Sequence, residues 1–314
     1  MKKILITGGA GYIGGYLSDL LIKENYDVTV LDNLFFESRY LKEVNFIYGS
    51  VSDYELINNV LAQNYDIVIC LAAIVGDGAC SVNPETTFKI NHESILNIAN
   101  NFENKIIFMS TCSVYGHSDK IIDEEGVKKP LSMYAKSKIL AEDVLKNRNN
   151  KCIFRLGTLF GVGDSFSRIR LDLVVNILTM KAAMGQKLQV YGGEQWRPLL
   201  HVRDVAEAIL FSIKKDINGT YNISDKNYKI YDIAIEVEKA FEKEGMKIEI
   251  VNNLFEDKRN YRVSSDKFKS FGWSPKYSLE YGINQIKMLI KDKRIKNVYD
   301  NIYSNANFTS EYFK

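Results

Sequence analysis

The sequence predicts an α/β protein, in which a doubly wound parallel sheet is joined to a smaller interleaved α/β lobe. Short apolar, β-branched runs alternate with helix-length segments through the first half of the chain. This alternation is typical of a parallel sheet covered by helices on both faces. The first run is followed by glycines at the spacing of a phosphate-binding turn. Beyond about residue 165 the alternation gives way to a different pattern, which indicates the second lobe.

In the large sheet, the first predicted strand is Lys3–Thr7, followed by a helix to about residue 24 and a strand at 27–31 that ends in Asp32. Further strands are predicted at 45–48, 66–71, 105–110 and 151–156, and helices at 54–63, 84–101 and 133–146. The run at 66–71 is continuously apolar, as expected for a strand buried on both faces.

In the second half, the sequence predicts helices at 168–185, 203–214, 230–244 and 279–293, and strands at 188–191, 220–223 and 247–251. We expect the strand at 220–223 to return to the large sheet. The predicted domains are therefore 1–165 plus 201–225 for the large sheet, and 166–200 plus 226–314 for the smaller lobe. The last twenty residues are compatible with a docked tail or with a frayed end.

The composition excludes several classes of protein. Hydrophobic residues make up 46% of the 314 residues, and 41 basic against 39 acidic residues give a net charge of +2, so no general attraction to nucleic acid or to a membrane surface is expected. The four cysteines have neither CxxC spacing nor a disulfide-rich pattern, which favours reduced thiols in the cytoplasm. We expect no signal peptide, no membrane span and no metal site.

The glycine turn predicts a dinucleotide site of the Rossmann type. Gly8, Gly11 and Gly14 follow the first strand at GxxGxxG spacing. They allow the tight turn, the approach of a pyrophosphate to bare backbone, and the packing of helix on strand. Asp32 lies about 20 residues further on, where an acid accepts both ribose hydroxyls of NAD. Its charge disfavours the 2′-phosphate of NADP, although Arg39 would favour it.

A second pattern predicts chemistry at the same edge of the sheet. Tyr134 and Lys138 are four residues apart in a predicted helix, so they share one face. A phenol needs its pKa lowered by about three units, or ~4 kcal/mol, to act as a base near neutral pH. The ammonium of Lys138 and a cationic nicotinamide ring are expected to supply this. Thr111 follows a strand whose carboxyl end faces the ligand crevice, where its hydroxyl can orient a substrate hydroxyl.

Several motifs in sequence order carry a resemblance to a known family. They are TGGAGYIG, LDNL, CLAA, STCSVYG, YAKSK, RPLLHVRDVA and FGWSP. With them the whole chain resembles the extended short-chain dehydrogenase/reductase superfamily, in its nucleotide-sugar epimerase/dehydratase branch. The resemblance implies NAD as cofactor, a nucleotide-linked sugar as substrate, and a homodimer or higher homo-oligomer that assembles through the helices at 84–101 and 133–146.

The resemblance also implies the roles of individual residues. It places Thr111, Tyr134 and Lys138 in catalysis and makes Asn91 a brace for the active-site backbone. The implied cofactor-binding residues are Gly8, Gly11, Tyr12, Ile13, Gly14, Asp32, Asn33, Val51, Leu71, Ala72, Tyr134 and Lys138. The implied substrate-binding residues are Thr111, Asn176, Arg197 and Arg262. The two arginines match residues that hold the nucleotide diphosphate through paired hydrogen bonds.

The chain also departs from the family pattern. Gly49-Ser50-Val51 replaces Gly-Asp-Ile, so that either Asp53 or the Val51 backbone contacts adenine. Gly157-Thr158 follows Arg155-Leu156 where the family has RxxN, which puts one substrate contact in doubt. The 4,6-dehydratases carry Asp and Glu where this chain has Cys112 and Ser113, so dehydration is disfavoured. The remaining candidates are expected to be structural, surface or turn residues: His92, His117, His201 and Asp77.

The sequence leaves the reaction open between related outcomes. Hydride transfer at carbon 4 gives a 4-epimerase if the hydride returns to the other face of the sugar, and a 4-dehydrogenase if the keto sugar leaves. A 4-ketoreductase or a non-catalytic, cofactor-sensing protein is the alternative. The sugar and its nucleotide are not identified, and a GDP-linked hexose or heptose for surface polysaccharide is one possibility.

Overall fold

A computed structural model describes residues 1–37, 39–164, 166, 168–242, 245–247, 249–254 and 259–314. Its strands in chain order are β1 (Lys3–Thr7), β2 (Asp27–Asp32), β3 (Asn45–Tyr48), β4 (Ile67–Cys70), β5 (Lys105–Thr111), β6 (His117–Ile122), β7 (Lys151–Leu156), β8 (Thr158–Phe160), β9 (Leu188–Tyr191), β10 (Trp196–His201), β11 (Gly219–Ile223), β12 (Lys226–Lys229), β13 (Ile250–Asn253) and β14 (Asn260–Val263).

The helices alternate with these strands in the first half of the chain. They are α1 (Gly14–Lys23), α2 (Tyr54–Leu61), α3 (Asp77–Val82), α4 (Pro84–Phe88), α5 (Ser94–Asn101), α6 (Met133–Leu145), α7 (Val174–Ala183), α8 (Val202–Lys214), α9 (Ile230–Glu242), α10 (Asp266–Lys269), α11 (Leu279–Lys291) and α12 (Asn305–Tyr312). A π-helical turn at Lys89–Glu93 joins α4 to α5, and 3₁₀ turns cover Cys112–Tyr115 and Asn301–Tyr303.

The central sheet confirms the predicted fold class. Its strands lie in the order β11-β7-β5-β4-β1-β2-β3, and every neighbouring pair is parallel. From β1 the chain adds strands first on one side, at β2 and β3, and then on the other, beginning with β4. Such a reversal leaves a crevice at the carboxyl ends of the strands, between β1 and β4.

Alternate side chains of the sheet pack into two separate cores. Ile4 and Ile6 of β1 belong to the cluster formed with α1 and α8, whereas Leu5 belongs to the cluster formed with α2, α5 and α6. The helices therefore cover both faces, and the strands read as continuous apolar runs because neither face meets water.

A third core holds the small lobe, which we define as α7, α9 and α11 with β9 and β13. Val175 of α7, Val237 of α9 and Ile283 of α11 meet there with Leu188 of β9. Short strands that sequence periodicity missed form two further small sheets: β10 pairs with β8 and β12, and β14 pairs with β6. Among the helices that the structure describes, none has the length and apolar character needed to cross a membrane.

The predicted helix at 168–185 is wrong in its first six residues, because α7 begins only at Val174. Tertiary hydrogen bonds use the backbone groups that a helix would need. The Leu171 N–H donates to the Tyr303 carbonyl at 2.9 Å, and the Arg170 carbonyl accepts from the Asn176 amide at 2.7 Å. The segment therefore runs along the C-terminal tail in an irregular conformation.

Two other predicted elements include residues outside the described part of the chain. The helix at 230–244 is observed as Ile230–Glu242, and the strand at 247–251 as Ile250–Asn253. Residues 243, 244 and 248 lie outside the described residues. The C-terminal tail, for which the sequence left two alternatives, is docked: α12 packs against α3, with an added Cβ at Gly78 lying 3.0 Å from the Ala306 Cβ.

Candidate active site

A cavity of about 760 Å³ lies at the carboxyl ends of β1, β2, β4 and β5. This volume is typical of cofactor and small-molecule sites, and the position is where parallel sheets bind ligands. The predicted site residues that line the cavity are Gly8, Gly11, Tyr12, Ile13, Asp32, Asn33, Val51, Leu71, Ala72, Thr111, Tyr134, Lys138 and Arg197. Three others, Gly14, Asn176 and Arg262, are not part of its described lining.

The first glycine of the turn sits directly against the backbone that follows β4. Gly8 has φ +76, and a Cβ added there would lie 2.4 Å from the Ala72 nitrogen. The N–H groups of Leu71 and Ala72 both donate to the Thr7 carbonyl at 2.9 Å, which fixes the two segments together. Only glycine fits at this position, so that bare backbone faces the cavity.

The third glycine lets helix α1 approach the turn. A Cβ added at Gly14 would lie 2.3 Å from the Gly9 carbonyl oxygen, so Gly14 packs inside the unit and does not line the cavity. The helix is preceded by Ile13, and no side chain among the described residues caps its first N–H groups. Uncapped N–H groups at a helix N-terminus favour an anion such as a diphosphate.

Asp32 is held at the end of β2 beside the glycine turn. Its Oδ2 accepts from the Ala10 N–H at 3.0 Å, and its Oδ1 accepts from the Leu34 N–H at 2.8 Å. Burial raises the pKa of the carboxyl group, and these two backbone donors act in the opposite direction. The carboxylate therefore has a fixed orientation at the place where the sequence predicts a ribose contact.

The structure separates the two alternatives for the adenine contact. Val51 lines the cavity, whereas the Asp53 side chain caps α2 by accepting from the Leu56 N–H at 3.1 Å. A capping carboxylate has its oxygen engaged with the helix. The Val51 alternative therefore fits the geometry better than the Asp53 alternative.

Thr111, Tyr134 and Lys138 meet across the cavity from the glycine turn. The Thr111 hydroxyl acts to lower the pKa of the Tyr134 phenol against the effect of burial, and the Thr111 Oγ1 accepts from the Ser113 N–H at 3.1 Å. Lys138, one helical turn beyond Tyr134 on α6, is 3% exposed, and its Nζ lies 4.8 Å from the Phe108 ring centroid. The end of β5 and the four-residue spacing on α6 thus bring Thr111, Tyr134 and Lys138 to the same wall of the cavity.

The predicted lowering of the Tyr134 pKa is not produced by the chain alone. Burial raises the pKa of this phenol, while the hydrogen bond from Thr111 and the charge of Arg170 act to lower it. Burial also lowers the pKa of Lys138 to about 8, which weakens that residue as a fixed positive charge. Formation of the phenolate therefore requires a further positive charge beside the ring.

Asn91 braces the cavity wall, as the resemblance implies. Its Oδ1 accepts from the Ile74 N–H at 2.9 Å, and its Nδ2 donates to the Ile74 carbonyl at 2.9 Å and to the Ser137 hydroxyl at 3.1 Å. The π-helical turn Lys89–Glu93 places this amide between the loop after β4 and helix α6. Such turns often occur at functional sites, and this one fixes the helix that carries Tyr134.

Arg155 forms a buried network instead of a substrate contact. Its Nη2 donates to the Glu142 Oε2 at 2.8 Å and its Nη1 donates to the Tyr115 hydroxyl at 2.8 Å. The Ser110 hydroxyl donates to the Glu142 Oε1 at 2.5 Å. The network therefore joins β7 and α6 to the end of β5, directly beside Thr111.

Two arginines line the other end of the cavity. Arg197 of β10 is 6% exposed and donates to the Arg259 carbonyl at 2.6 Å. Arg259 itself lines the cavity and pairs with Asp77 at 2.6 Å. The sequence predicted Arg197 and missed Arg259, which directly precedes β14.

Arg262 lies outside the described cavity lining. Its guanidinium is 5.1 Å from the Trp196 ring centroid and donates to the Asp119 carbonyl. The alternation of β14 explains this, because Tyr261 and Val263 face inward and the residue between them faces away. Applying that period to the motif would have favoured Tyr261 over Arg262.

Asn176 is fully buried and holds backbone rather than facing the cavity. Its Oδ1 accepts from the Gly161 N–H at 2.9 Å, and its Nδ2 donates to the Gly161 carbonyl at 3.2 Å as well as to the Arg170 carbonyl. Tyr12 donates to the same Gly161 carbonyl at 2.6 Å. The predicted ligand contact is therefore replaced by a role in fixing the segment opposite the glycine turn.

His201, which is expected to be structural, and Cys112, which replaces a carboxylate of the dehydratases, are both fully buried. His201 caps α8 and meets the Gln285 side chain at 2.7 Å, and the Cys112 thiol donates to the Arg155 carbonyl at 3.1 Å.

Further residues of the cavity lining were also missed by sequence reasoning. Besides Arg259, they include Arg168, Arg170, Ser304, Asn305, Ala306 and Phe313.

Comparison with known proteins gives matches over nearly the whole chain. The model of the NAD dependent epimerase/dehydratase family matches residues 4–224. A putative UDP-glucose 4-epimerase of Methanocaldococcus jannaschii is 29% identical over 317 residues, which cover 92% of this chain and 98% of that protein.

Two solved structures are similar over the same extent. The structure of a UDP-glucose 4-epimerase from Thermotoga maritima with UDP-glucose is 26% identical, with a TM-score of 0.79 over 93% of this chain and 100% of that chain. The X-ray structure of Pal from Bacillus thuringiensis is 28% identical, with a TM-score of 0.80 over 92% of this chain and 99% of that chain. Both similarities include the large sheet and the small lobe.

Proposed function

The chain belongs to the NAD-dependent epimerase/dehydratase family, and from this premise we propose that it uses NAD to oxidise the 4-hydroxyl of a nucleotide-linked sugar. One observation supports this above all. Thr111, Tyr134 and Lys138 line the same cavity as the glycine turn and Asp32. A base, a hydroxyl donor and a dinucleotide site then face one reacting carbon.

The cofactor half of the cavity fits NAD. Gly8 has no room for a side chain, the first N–H groups of α1 suit the diphosphate, and Asp32 is oriented for the ribose hydroxyls. Leu71 and Ala72 form the opposite wall. When bound, NAD accepts a hydride from the sugar carbon and brings a cationic ring into the site.

In the proposed reaction, Tyr134 removes the proton from the sugar 4-hydroxyl. Thr111, which lines the same cavity as Tyr134, holds that hydroxyl in line. Lys138 supplies part of the positive charge that the phenolate requires, and a bound nicotinamide ring would supply the rest. The burial that raises the pKa of Tyr134 also excludes water from the site. A positive charge beside the phenol therefore acts on it more strongly than it would in water.

The other end of the cavity suits a nucleotide diphosphate. Arg197 and Arg259 offer guanidinium groups there, and such groups bind phosphates through paired hydrogen bonds. Next to Thr111 the chain has Cys112, which is buried, and Ser113, whose hydroxyl bonds the Tyr261 hydroxyl at 3.0 Å. Neither supplies a carboxylate, so the proposed reaction does not include dehydration.

UDP-linked sugars are the first candidates, because similar proteins carry UDP-glucose 4-epimerase in their names. GDP-linked hexoses and heptoses are the second. Each is to be incubated with the NAD-loaded protein, with products identified by mass spectrometry and NMR and reduction followed at 340 nm. An isomer without net reduction identifies a 4-epimerase, and a keto sugar with reduction identifies a 4-dehydrogenase.

The same panel tests the rival interpretations. Reduction of a 4-keto sugar by NADH, without oxidation of any hydroxy sugar, would identify a 4-ketoreductase. Binding of NAD with no reaction on any UDP-, GDP- or dTDP-sugar would favour a cofactor-sensing protein.

We also propose that the enzyme is a cytoplasmic homo-oligomer. Leu96 of α5 and Leu140 of α6 are 40% and 39% exposed, on the two helices where the sequence predicts an interface. Light scattering of the purified protein, with Leu96→Asp and Leu140→Asp variants, tests this by the measured mass.

A further inference from the structure

Two buried arginines reach the cavity from the segment between β8 and α7. Arg168 and Arg170 are 5% and 8% exposed, and both line the cavity. Arginine is rarely buried to this extent unless it is paired or binds an anion. Neither residue is one of the three proposed for the proton transfer, Thr111, Tyr134 and Lys138, although the charge of Arg170 acts on the pKa of Tyr134.

The two guanidinium groups lie opposite the parts of the large sheet that form the dinucleotide site. The Arg170 guanidinium carbon is 5.9 Å from the ring centroid of Tyr12, which follows Gly11 in the glycine turn. The Arg168 guanidinium carbon is 3.3 Å from the ring centroid of Phe36, four residues beyond Asp32. The two cations therefore border the path from the start of α1 to the end of β2, where a dinucleotide diphosphate lies.

Contacts from distant parts of the chain hold both side chains in place. The Arg170 Nε and Nη2 donate to the two oxygens of Asp172 at 3.0 and 3.2 Å. The Arg168 Nη1 donates to the Asn305 Oδ1 at 2.6 Å, and Nη2 donates to the Ile302 carbonyl at 3.1 Å. Asn305 in turn donates to the Val75 carbonyl at 2.7 Å, so the C-terminal tail ties Arg168 to the loop after β4.

These contacts leave cationic capacity unused. The buried Nε of Arg168 has no hydrogen-bond partner in the part of the chain that the structure describes. Burial and the charge of Arg170 lower the pKa of Arg168 to about 9, while the charges of Asp172 and Glu37 act in the opposite direction. An anion near the two guanidinium groups would offset the repulsion between their like charges, and arginine is well suited to phosphate oxygens.

We propose that Arg168 and Arg170 bind the diphosphate of NAD from the side opposite the glycine turn, and so keep the cofactor bound between turnovers. The inference rests on the proposed function, because it requires NAD as the cofactor. Both arginines are held in position before the ligand arrives, so little side-chain freedom is lost on binding. The site thus has two halves. One is bare backbone from the large sheet, and the other consists of two guanidinium groups, that of Arg168 held by the C-terminal tail and that of Arg170 held by Asp172.

The test measures cofactor binding rather than activity. The full chain and its Arg168→Met and Arg170→Met variants are incubated with NAD and passed through gel filtration, and the NAD retained per chain is quantified by chromatography. Titration of protein fluorescence gives the dissociation constant. We expect the wild type to retain NAD, and each variant to bind it at least about tenfold more weakly.

Arg203→Met is the matched control. Arg203 also stacks on an aromatic ring, that of Tyr16 at 5.0 Å, and donates to a backbone carbonyl, that of Gly163 at 2.7 Å, but it is not part of the described cavity lining. Its dissociation constant for NAD is expected to stay within about twofold of the wild type. Should Arg168→Met fail to fold, Arg170→Met decides alone, because Arg170 is paired with Asp172 and not with the tail.

Two further ligands show whether the diphosphate is the group recognised. ADP-ribose, which has the diphosphate, should lose affinity for the variants as NAD does, and adenosine, which lacks it, should not. Equal losses for adenosine and NAD, or unchanged NAD binding in both variants, would overturn the inference while leaving the proposed function intact. A wild-type chain that does not bind NAD would overturn the proposed function itself.

Discussion

Two buried cations lie at helix α6, and only one of them is paired with a carboxylate. At the cavity end, Lys138 lies over Phe108 without a carboxylate partner among the described residues, and burial lowers its pKa to about 8. One turn further along, Glu142 pairs with Arg155 of β7 at 2.8 Å, and this pairing raises the pKa of Arg155.

The difference separates a functional charge from a structural one. Arg155 has its donors satisfied by Glu142, Tyr115 and the Glu124 carbonyl, so the network fixes β5, β7 and α6 relative to one another. A buried charge without a partner destabilises the fold, and such groups cluster at sites where the charge is used. We therefore expect substitutions at the two ends to have opposite effects on stability.

The largest effect is expected at Tyr134, which defines the catalytic end. Tyr134→Phe removes the proposed base and should lower kcat by about 10³- to 10⁴-fold, or roughly 4–5 kcal/mol in the barrier. The dissociation constant for NAD should change far less than kcat, because Phe keeps the ring while the glycine turn and Asp32 still hold the dinucleotide. Steady-state turnover and NAD titration measure the two quantities, and undiminished turnover would remove Tyr134 from the mechanism.

The structural end is tested by Arg155→Met. This change leaves Glu142 buried without its partner, and loss of one member of a buried pair typically costs about 3–5 kcal/mol of the free energy of unfolding. Denaturant unfolding measures the loss. Arg148→Met serves as control, since Arg148 donates to the Ala99 and Asn104 carbonyls near the surface, and should lose less than about 1 kcal/mol. Equal losses in the two variants would contradict a special role for the network.

Lys138→Met should raise the free energy of unfolding, whereas Arg155→Met lowers it. The folded-state pKa of Lys138, about 8, lies below its ordinary value of 10.5, so the folded chain binds this proton more weakly than the unfolded chain. At neutral pH the variant should therefore be more stable by up to about 3 kcal/mol, while its kcat falls. The stability difference should shrink as pH rises from about 8 to 10.5, because wild-type stability recovers there. A less stable variant at pH 7 would show that Lys138 is structural.

The smallest expected effect is on the KM for the nucleotide sugar, and it distinguishes the two arginines that the sequence predicts to bind the substrate. Arg197→Met should raise the KM for the nucleotide sugar by about tenfold, because Arg197 lines the cavity. Arg262→Met should change it by less than about twofold, because Arg262 is stacked on Trp196 outside the described lining. Substrate-saturation curves for both variants decide, and the reverse order would restore the role predicted for Arg262.

Local patterns explain what could be predicted from the sequence. Gly8 and Asp32 belong to a single strand–turn–helix–strand unit, and Tyr134 and Lys138 share one turn of a helix. In each case spacing along the chain fixes spacing in the fold. The seven-stranded parallel sheet follows from the same kind of short-range signal, repeated along the first half of the chain.

The remaining features depend on contacts between distant residues. Arg168 donates a hydrogen bond to Asn305, which is 137 residues away in the sequence. No periodicity within the predicted helix at 168–185 indicates that its first residues are bound to the C-terminal tail instead. The motif alone predicts Arg262 as a site residue, whereas the side of β14 that it occupies depends on Tyr261 and Val263, which pack into a distant cluster with Cys112. Asn176 likewise occupies a position in the sequence that predicts a substrate contact, yet its side-chain Oδ1 accepts a hydrogen bond from the Gly161 N–H.

The most direct test of the central claim follows the hydrogen on carbon 4 of the sugar. A nucleotide sugar from the panel that reacts is prepared with deuterium at carbon 4, mixed with the NAD-loaded enzyme, and quenched within a single turnover. Hydride transfer predicts deuterium on the reduced nicotinamide of the wild type during the turnover, and its return to carbon 4 of the product if the enzyme is a 4-epimerase. The transfer should be at least about 10³-fold slower in Tyr134→Phe. Deuterium that is lost to water, or product that forms while no deuterium reaches the nicotinamide, would contradict hydride transfer at this carbon.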